Sequence, residues 1–432
     1  MNPRRNFIKK AAAIASALSL GSISNKLMAE SIQDAVASLH KLPIQEAIAE
    51  DDLWRMVQQA YTISPSLINL NNGGVSPQPK VVQDTEVRKL QAANEIPSYY
   101  LWRVLIKDVE VVRERLARLA GCAAENIAIN RNTTEGIQTI LLGQDWKEGD
   151  EIVVTKQDYS TVKVGWELLE RRYKVKIIWL DLPSPLEDEV QYVKLFTNAF
   201  SPKTKLVFLT HVINWTGQVI PVSAIRKVCE EAQKKGIFSL VDGAHSFAQF
   251  DFKIPDLGCD AFATSLHKWL CAPFGTGMLY VRESALPLIW PLFPASVEED
   301  NDIRKFEHLG TRSLGQISAI GQAIDFHEMI GIQLKEARLR YLKDYWVKPL
   351  KNKDRLIFHS SHKPKFSSVL TLFEIEGLEP IEVERVLYSK FHIHVTNSEV
   401  GNIKGTRVSP NVYTRLSDLD RLTEGIDYLL KL

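Results

Sequence analysis

Long hydrophobic runs are missing from this 432-residue chain, and with them any stretch of the ~20 apolar residues that a bilayer-spanning helix requires. The best candidate, around "AAAIASALSLGS", reaches only about 14 residues of apolar and small side chains. Cysteine is scarce. Cys122, Cys229, Cys259 and Cys271 form no Cys-x-x-Cys pair and sit in no histidine cluster, so the common zinc frameworks are excluded and no metal site is expected. Four thiols in so long a chain read as small buried apolar residues; their pairing is not legible from spacing. Excess charge is absent as well, with 53 basic against 52 acidic side chains. No nucleic-acid partner is implied. There is no internal repeat and no low-complexity tract.

What is present suffices for a sizeable core: 45% of the residues are apolar and 9% aromatic, which excludes general disorder. The N-terminus has a basic start, a short apolar run and a small-residue cleavage site after Ala29, the pattern of an export signal over residues 1–29. Arg4 and Arg5, followed by Phe7, Ile8 and Lys9, resemble the twin-arginine signal, an address read by the machinery that exports folded proteins. The expectation is a periplasmic protein with the twin-arginine (Tat) machinery as a partner and no stable membrane span after processing. An ordinary secretory signal is the plain alternative; an uncleaved anchor is disfavoured by the short run. Removing the signal would take away five basic residues and no acidic one, leaving the mature chain mildly acidic.

Residues 30–60 read as a helical arm. From 61 to 315, short β-rich runs ("NIAI", "EIVVT", "VKIIWL", "KLVFLTHV", "FSLV") alternate with amphipathic ones, which predicts an α/β fold whose mostly parallel sheet is covered by helices. "SAIRKVCEEAQKKG" is the clearest helix, with Ser223 as N-cap, Ile225, Val228 and Cys229 on one face, and Gly236 as its stop. Residues 316–432 read as a smaller α/β domain. It opens with one long helical segment to near 350, followed by "SSVLTLFEIEG" and two further helices over "IEVERVLYSKF" and "LSDLDRLTEGIDYLLKL".

Two charged residues stand out in apolar surroundings. "FSLVDGAH" ends an apolar strand on Asp242, and functional residues of open α/β sheets collect at such carboxyl ends. Lys268 lies between "DAFATSLH" and "WLCAPFGTGMLYV", and its apolar neighbours should lower its pKa and make the amine a nucleophile toward carbonyl carbons. A buried carboxylate needs a cation. The pyridinium of pyridoxal phosphate (PLP) would provide one, while Lys268 would take the aldehyde as a Schiff base. A phosphate site is available in "NRNTTEG", where Thr133 and Thr134 open a helix, although Asn132 or Thr133 could equally be a plain helix cap.

These motifs, with the opening "NNGGVSPQP" and the ending "GTRVSPNVYTRLSDLDRL", resemble the class V family of PLP-dependent enzymes, which includes cysteine desulfurases and isopenicillin N epimerase. The resemblance spans most of residues 65–425 and implies fold type I. It further implies that Lys268 is the Schiff-base lysine, Asp242 faces the pyridine nitrogen and His245 lies near the ring hydroxyl. By the same likeness Thr133, Thr134, Ser265 and His267 form the phosphate cup, Tyr159 stacks on the ring and Asn214 lies near its hydroxyl. Thr311 resembles the residue that reaches the neighbour's phosphate in family dimers, so a homodimer is implied. Arg407 suits an amino-acid carboxylate because its guanidinium fork binds in a bidentate way. Tyr159 as a turn aromatic, His267 as a packed core histidine, Asn214 as a loop residue and Arg407 in a surface ion pair remain the structural alternatives.

The expected function is that of an exported PLP-dependent transferase or epimerase acting on an amino acid or an amino-acid-containing compound. A desulfurase needs a thiolate on a loop of its C-terminal part, and no cysteine follows Cys271. A lyase that works without a thiol is the alternative, and a binding protein that kept the fold without the chemistry is the alternative of another class.

Overall fold

Apolar runs of four to seven residues, bounded by turns, assemble into a central sheet. The structure, a computed structural model, describes residues 28–432. Its strands are β1 (Ile68–Asn69), β2 (Ile127–Asn130), β3 (Glu151–Thr155), β4 (Lys176–Leu180), β5 (Thr204–Thr210), β6 (Phe238–Asp242), β7 (Ala261–Ser265) and β8 (Gly277–Val281). Seven of them form one sheet in the order β2-β8-β7-β6-β5-β3-β4. All neighbours along β7-β6-β5-β3-β4 are parallel, and β8 alone runs against the rest. Strands β6, β7 and β8 are buried at every residue, as expected where helices cover both faces. The five strands read from the sequence are all present. β7 and β8, which bracket Lys268, are two more.

The helix Val222–Lys234 buries Ile225, Val228 and Cys229 as its pattern demands, and Gly236 just beyond it takes φ +68°. Its cap differs from expectation. Pro221, with φ already near the helical value, occupies the entry position, and the Ser223 hydroxyl inside the first turn donates to the Glu189 carboxylate. The single helical segment expected up to residue 350 is two helices, Leu314–Ile330 and Ile332–Val347. Gly331 separates them at φ +80°, ψ 137°, a conformation closed to most side chains.

A second sheet, ordered β12 (Thr396–Val400), β13 (Ile403–Val408), β10 (Thr371–Ile375) and β9 (Leu356–Phe358), is antiparallel throughout. The helices Pro380–Phe391 and Leu416–Leu429 pack against it through Val383, Leu387, Leu422 and Ile426. A two-residue strand, β11 (Ile393–His394), pairs in parallel with β1 and so ties the start of the large region to the C-terminal one. Helices at residues 28–39, Ile44–Ala47 and Asp51–Gln58 bury Val36, Leu39, Trp54 and Val57 in the core beside the large sheet. Apart from its last two residues, the export signal expected over 1–29 lies outside the described residues. Among those described, no helix is long and apolar enough to cross a membrane. All four cysteines are unpaired, and Cys229, Cys259 and Cys271 are buried.

Candidate active site

Parallel strands bring their carboxyl ends to one edge of the sheet, where ligands of open α/β folds bind. Asp242 ends β6 and Ser265 ends β7, while the helix Thr133–Leu142 begins three residues after β2 and Tyr159 follows β3 by four. Asp242 is buried, and among the described residues its Oδ1 accepts only the Ala244 N–H, at 2.9 Å. Burial pushes the carboxyl above its usual range, opposed by that N–H and by the charge of Lys268.

Lys268 sits in the turn after β7, half-buried, with Nζ 3.1 Å from His245 Nε2. Burial lowers its pKa to about 8; Asp242 pulls it upward and Arg407 pushes it down. His245 is held well below its ordinary value by burial, then by the charges of Lys268 and Arg407. Its imidazole is therefore neutral, and its buried Nδ1 has no partner among the described residues. The pair makes a reactive amine with a neutral acceptor beside it.

At Thr133–Leu142 a side-chain cap stands beside first-turn N–H donors. Asn132 is the cap, its Oδ1 accepting the Glu135 N–H at 2.9 Å. The Thr133 N–H donates to Ser265 Oγ at 2.9 Å, and the two hydroxyls lie 2.8 Å apart. At the next position the Thr134 N–H is one of the first-turn donors that no helix can satisfy internally. Gly277 brings β8 close: a Cβ there would stand 2.6 Å from the Asn132 backbone. His267 donates from Nδ1 to the Thr276 carbonyl at 3.1 Å, and burial lowers its pKa.

Arg407, on β13, is buried without a carboxylate partner among the described residues. Nη1 donates to the Asn214 carbonyl at 2.7 Å and Nη2 to Asn71 Oδ1 at 2.8 Å, while Nε is buried and unpartnered. Burial lowers its pKa to about 10, with Tyr159 acting in the opposite direction. The surface-ion-pair alternative is thus excluded for Arg407. Asn214 meets it through its backbone rather than its side chain. Tyr159 is near enough to Arg407 to interact electrostatically, though 43% exposed.

Ten of the eleven expected residues lie on this edge or on the segments bonded to it. Thr311 does not: it is exposed in the loop before the helix Leu314–Ile330, and no described contact links it to Lys268. Sequence reasoning passed over Asn71, although "NNGGVSPQP" contained it, and Asp158. The latter is a buried carboxyl pushed up to about 7 by burial despite bonds from the Thr155 N–H and the Thr155 and Thr210 hydroxyls.

The residues fit PLP on their own chemistry. A buried carboxylate with a single hydrogen bond awaits a cation, a neutral-leaning amine awaits an aldehyde, and an open helix N-terminus beside two hydroxyls suits a phosphate.

Comparison with known proteins agrees. The model of the family described as "Aminotransferase class-V" matches residues 68–422. The isopenicillin N epimerase of Streptomyces clavuligerus is 27% identical over 87% of this chain and 98% of its own, and that of Amycolatopsis lactamdurans 29% over 88% and 99%. Among solved structures, the cysteine desulfurase of Thermococcus onnurineus NA1 superposes with a TM-score of 0.74 at 22% identity, covering 87% of this chain and 97% of its own. A C-DES mutant with glycine covalently linked to its PLP cofactor gives 0.75 at 19%, over 83% and 96%. The cofactor is PLP, the fold is type I, and the chain belongs to the class V aminotransferase family.

Proposed function

We propose that this protein acts at the α-carbon of an amino acid, or of a larger compound carrying a free α-amino and α-carboxyl group, as an epimerase or transferase. The observation that carries this reading is the Lys268 amine, 3.1 Å from a neutral His245 and pulled to about 8 by its surroundings. When bound, PLP supplies an electron sink for charge developing at the α-carbon. Asp242 would hold its ring nitrogen, His245 would lie near its hydroxyl, and Thr133, Thr134, Ser265 and His267 would hold its phosphate, with Tyr159 over the ring. Arg407, whose fork is spent only on two neutral oxygens, binds the α-carboxylate. Lys268, neutral in half the molecules near pH 8, removes or returns the α-proton.

A cleft of about 1120 Å³ is lined by Asn71, Gly74, His394 and Tyr413 and by none of the eleven expected site residues. Thiol-dependent desulfuration is disfavoured, since the segment from β12 through β13 contains no cysteine.

A periplasmic location reached by twin-arginine export is part of this proposal, resting on Arg4 and Arg5. So is a homodimer, in which Thr311 reaches the neighbour's site; the large apolar side chains exposed along one helical segment, Ile96, Tyr99, Trp102, Ile106 and Val111, support it. Borohydride reduction of the purified protein should fix a chromophore on the peptide containing Lys268, and Lys268→Ala should abolish it. A chromophore that survives in the variant would overturn the assignment.

A further inference from the structure

Behind the turn that carries Lys268 lies a second buried lysine that the proposed chemistry does not use. Lys335 stands in the first turn of the helix Ile332–Val347, and only 3% of it is exposed. Its ammonium donates to the Trp269 carbonyl, the residue next to Lys268, and lies 3.3 Å from His327 Nδ1. No carboxylate touches it among the described residues. A buried ammonium held by one carbonyl and one imidazole nitrogen, with no acid beside it, is costly, so the contact calls for a reason.

The turn supplies one. After Lys268 the chain doubles back, with the Cys271 N–H on the Lys268 carbonyl at 3.3 Å and the Ala272 N–H on the Leu266 carbonyl at 3.0 Å. Cys271 adopts φ +58°, a left-handed conformation that a non-glycine residue keeps only when its surroundings hold it. The Trp269 carbonyl takes part in neither of these backbone bonds; it accepts from Lys335 Nζ and, at 3.9 Å, from the Cys271 thiol. Asn411 Nδ2, 3.7 Å from Cys271 Sγ, braces the turn from the C-terminal side. Gly331 ends the first helix, and Lys335, four residues further on in the second, reaches this carbonyl.

We propose that Lys335 is a positioning residue: its ammonium anchors the Trp269 carbonyl and so fixes the strained turn that aims Lys268 at the cofactor aldehyde. The idea rests on the reading of Lys268 as the PLP lysine. It concerns placement of that amine, not its contact with substrate.

Hydroxylamine tests it without knowledge of the substrate, because it displaces Lys268 from the cofactor, breaking one carbon–nitrogen double bond as it makes another and freeing the amine. The loaded parent, Lys335→Met and Lys335→Arg are compared by the rate of chromophore loss and by thermal melting of the cofactor-free proteins. The Met variant should lose its chromophore roughly tenfold faster, since small displacements of a reacting group carry penalties of that order, and Arg, which keeps a cationic donor, should restore most of the parental rate. Should Met yield no soluble protein, Lys335→Leu, which also lacks a donor, replaces it in the same comparison. A parental rate in the donor-deficient variant, even with a lowered melting temperature, would show that Lys335 only stabilises the fold. A parent that binds no PLP at all would instead overturn the reading of Lys268, a separate failure.

Discussion

Loading of PLP onto the cofactor-free protein should follow a pH profile that no surface lysine gives. Attack on the aldehyde requires a neutral amine, and burial moves Lys268 from 10.5 to about 8. At pH 8 about half the molecules then carry the reactive form, against roughly 0.3% for an unperturbed lysine, a gain on the order of 150-fold, or about 3 kcal/mol. Asp242 raises the Lys268 value and Arg407 lowers it. Arg407→Met should therefore move the midpoint up, and Asp242→Asn should move it down. Mixing cofactor-free protein with PLP between about pH 6 and about pH 10 and following the absorbance gives the profile. The logarithm of the rate should climb with unit slope and flatten above the midpoint. A midpoint near 10.5, or one that stays put in both variants, would refute the argument that apolar burial and these two charges govern the amine.

Two further outcomes are expected. The folded-state value of Asp158 is raised from 3.8 to about 7, so its contribution to stability is full below its unfolded value and is lost as pH rises through about 7, up to about 4 kcal/mol. Denaturant unfolding of the cofactor-free parent and Asp158→Asn across that window should show their difference changing in this direction, and a difference that is flat with pH would exclude the buried carboxyl as the cause. Ser265→Ala removes both bonds to Thr133 and should weaken PLP roughly tenfold while leaving pyridoxal, which has no phosphate, unchanged; equal weakening of both would place Ser265 outside the phosphate site.

The layers of the large sheet were legible because burial on both faces writes strands as apolar runs, and "EIVVT" and "KLVFLTHV" need no context to be read. β7 escaped because "AFATS" sets a single bulky residue, Phe262, among small and polar ones. It is buried against the helix Thr133–Leu142, where Gly136 leaves room for Ala263: a Cβ on that glycine would lie 2.9 Å from the alanine's own. Small residues there mark a close approach of helix and strand, and a pattern search for bulky β-formers cannot register it. The break at Gly331 was hidden for the opposite reason, since the residues on both sides of it are helix formers.

At the site, Asp242 and Lys268 were legible because each is a charge in a local apolar setting, which is a property of neighbours in sequence. Arg407 was ambiguous until its partners were known, because an arginine on a strand says nothing about what faces it across the fold. Its contacts come from Asn214 and Asn71, 193 and 336 residues away. Both partners are neutral oxygens, and that matters chemically. A carboxylate there would have neutralised the guanidinium and left nothing for an anionic ligand, whereas amide and carbonyl oxygens orient the fork and leave its charge intact. Lys335 and the Trp269 carbonyl, 66 residues apart, follow the same logic. In both cases a cation is held by dipoles rather than by an acid, so its position is fixed without its charge being cancelled.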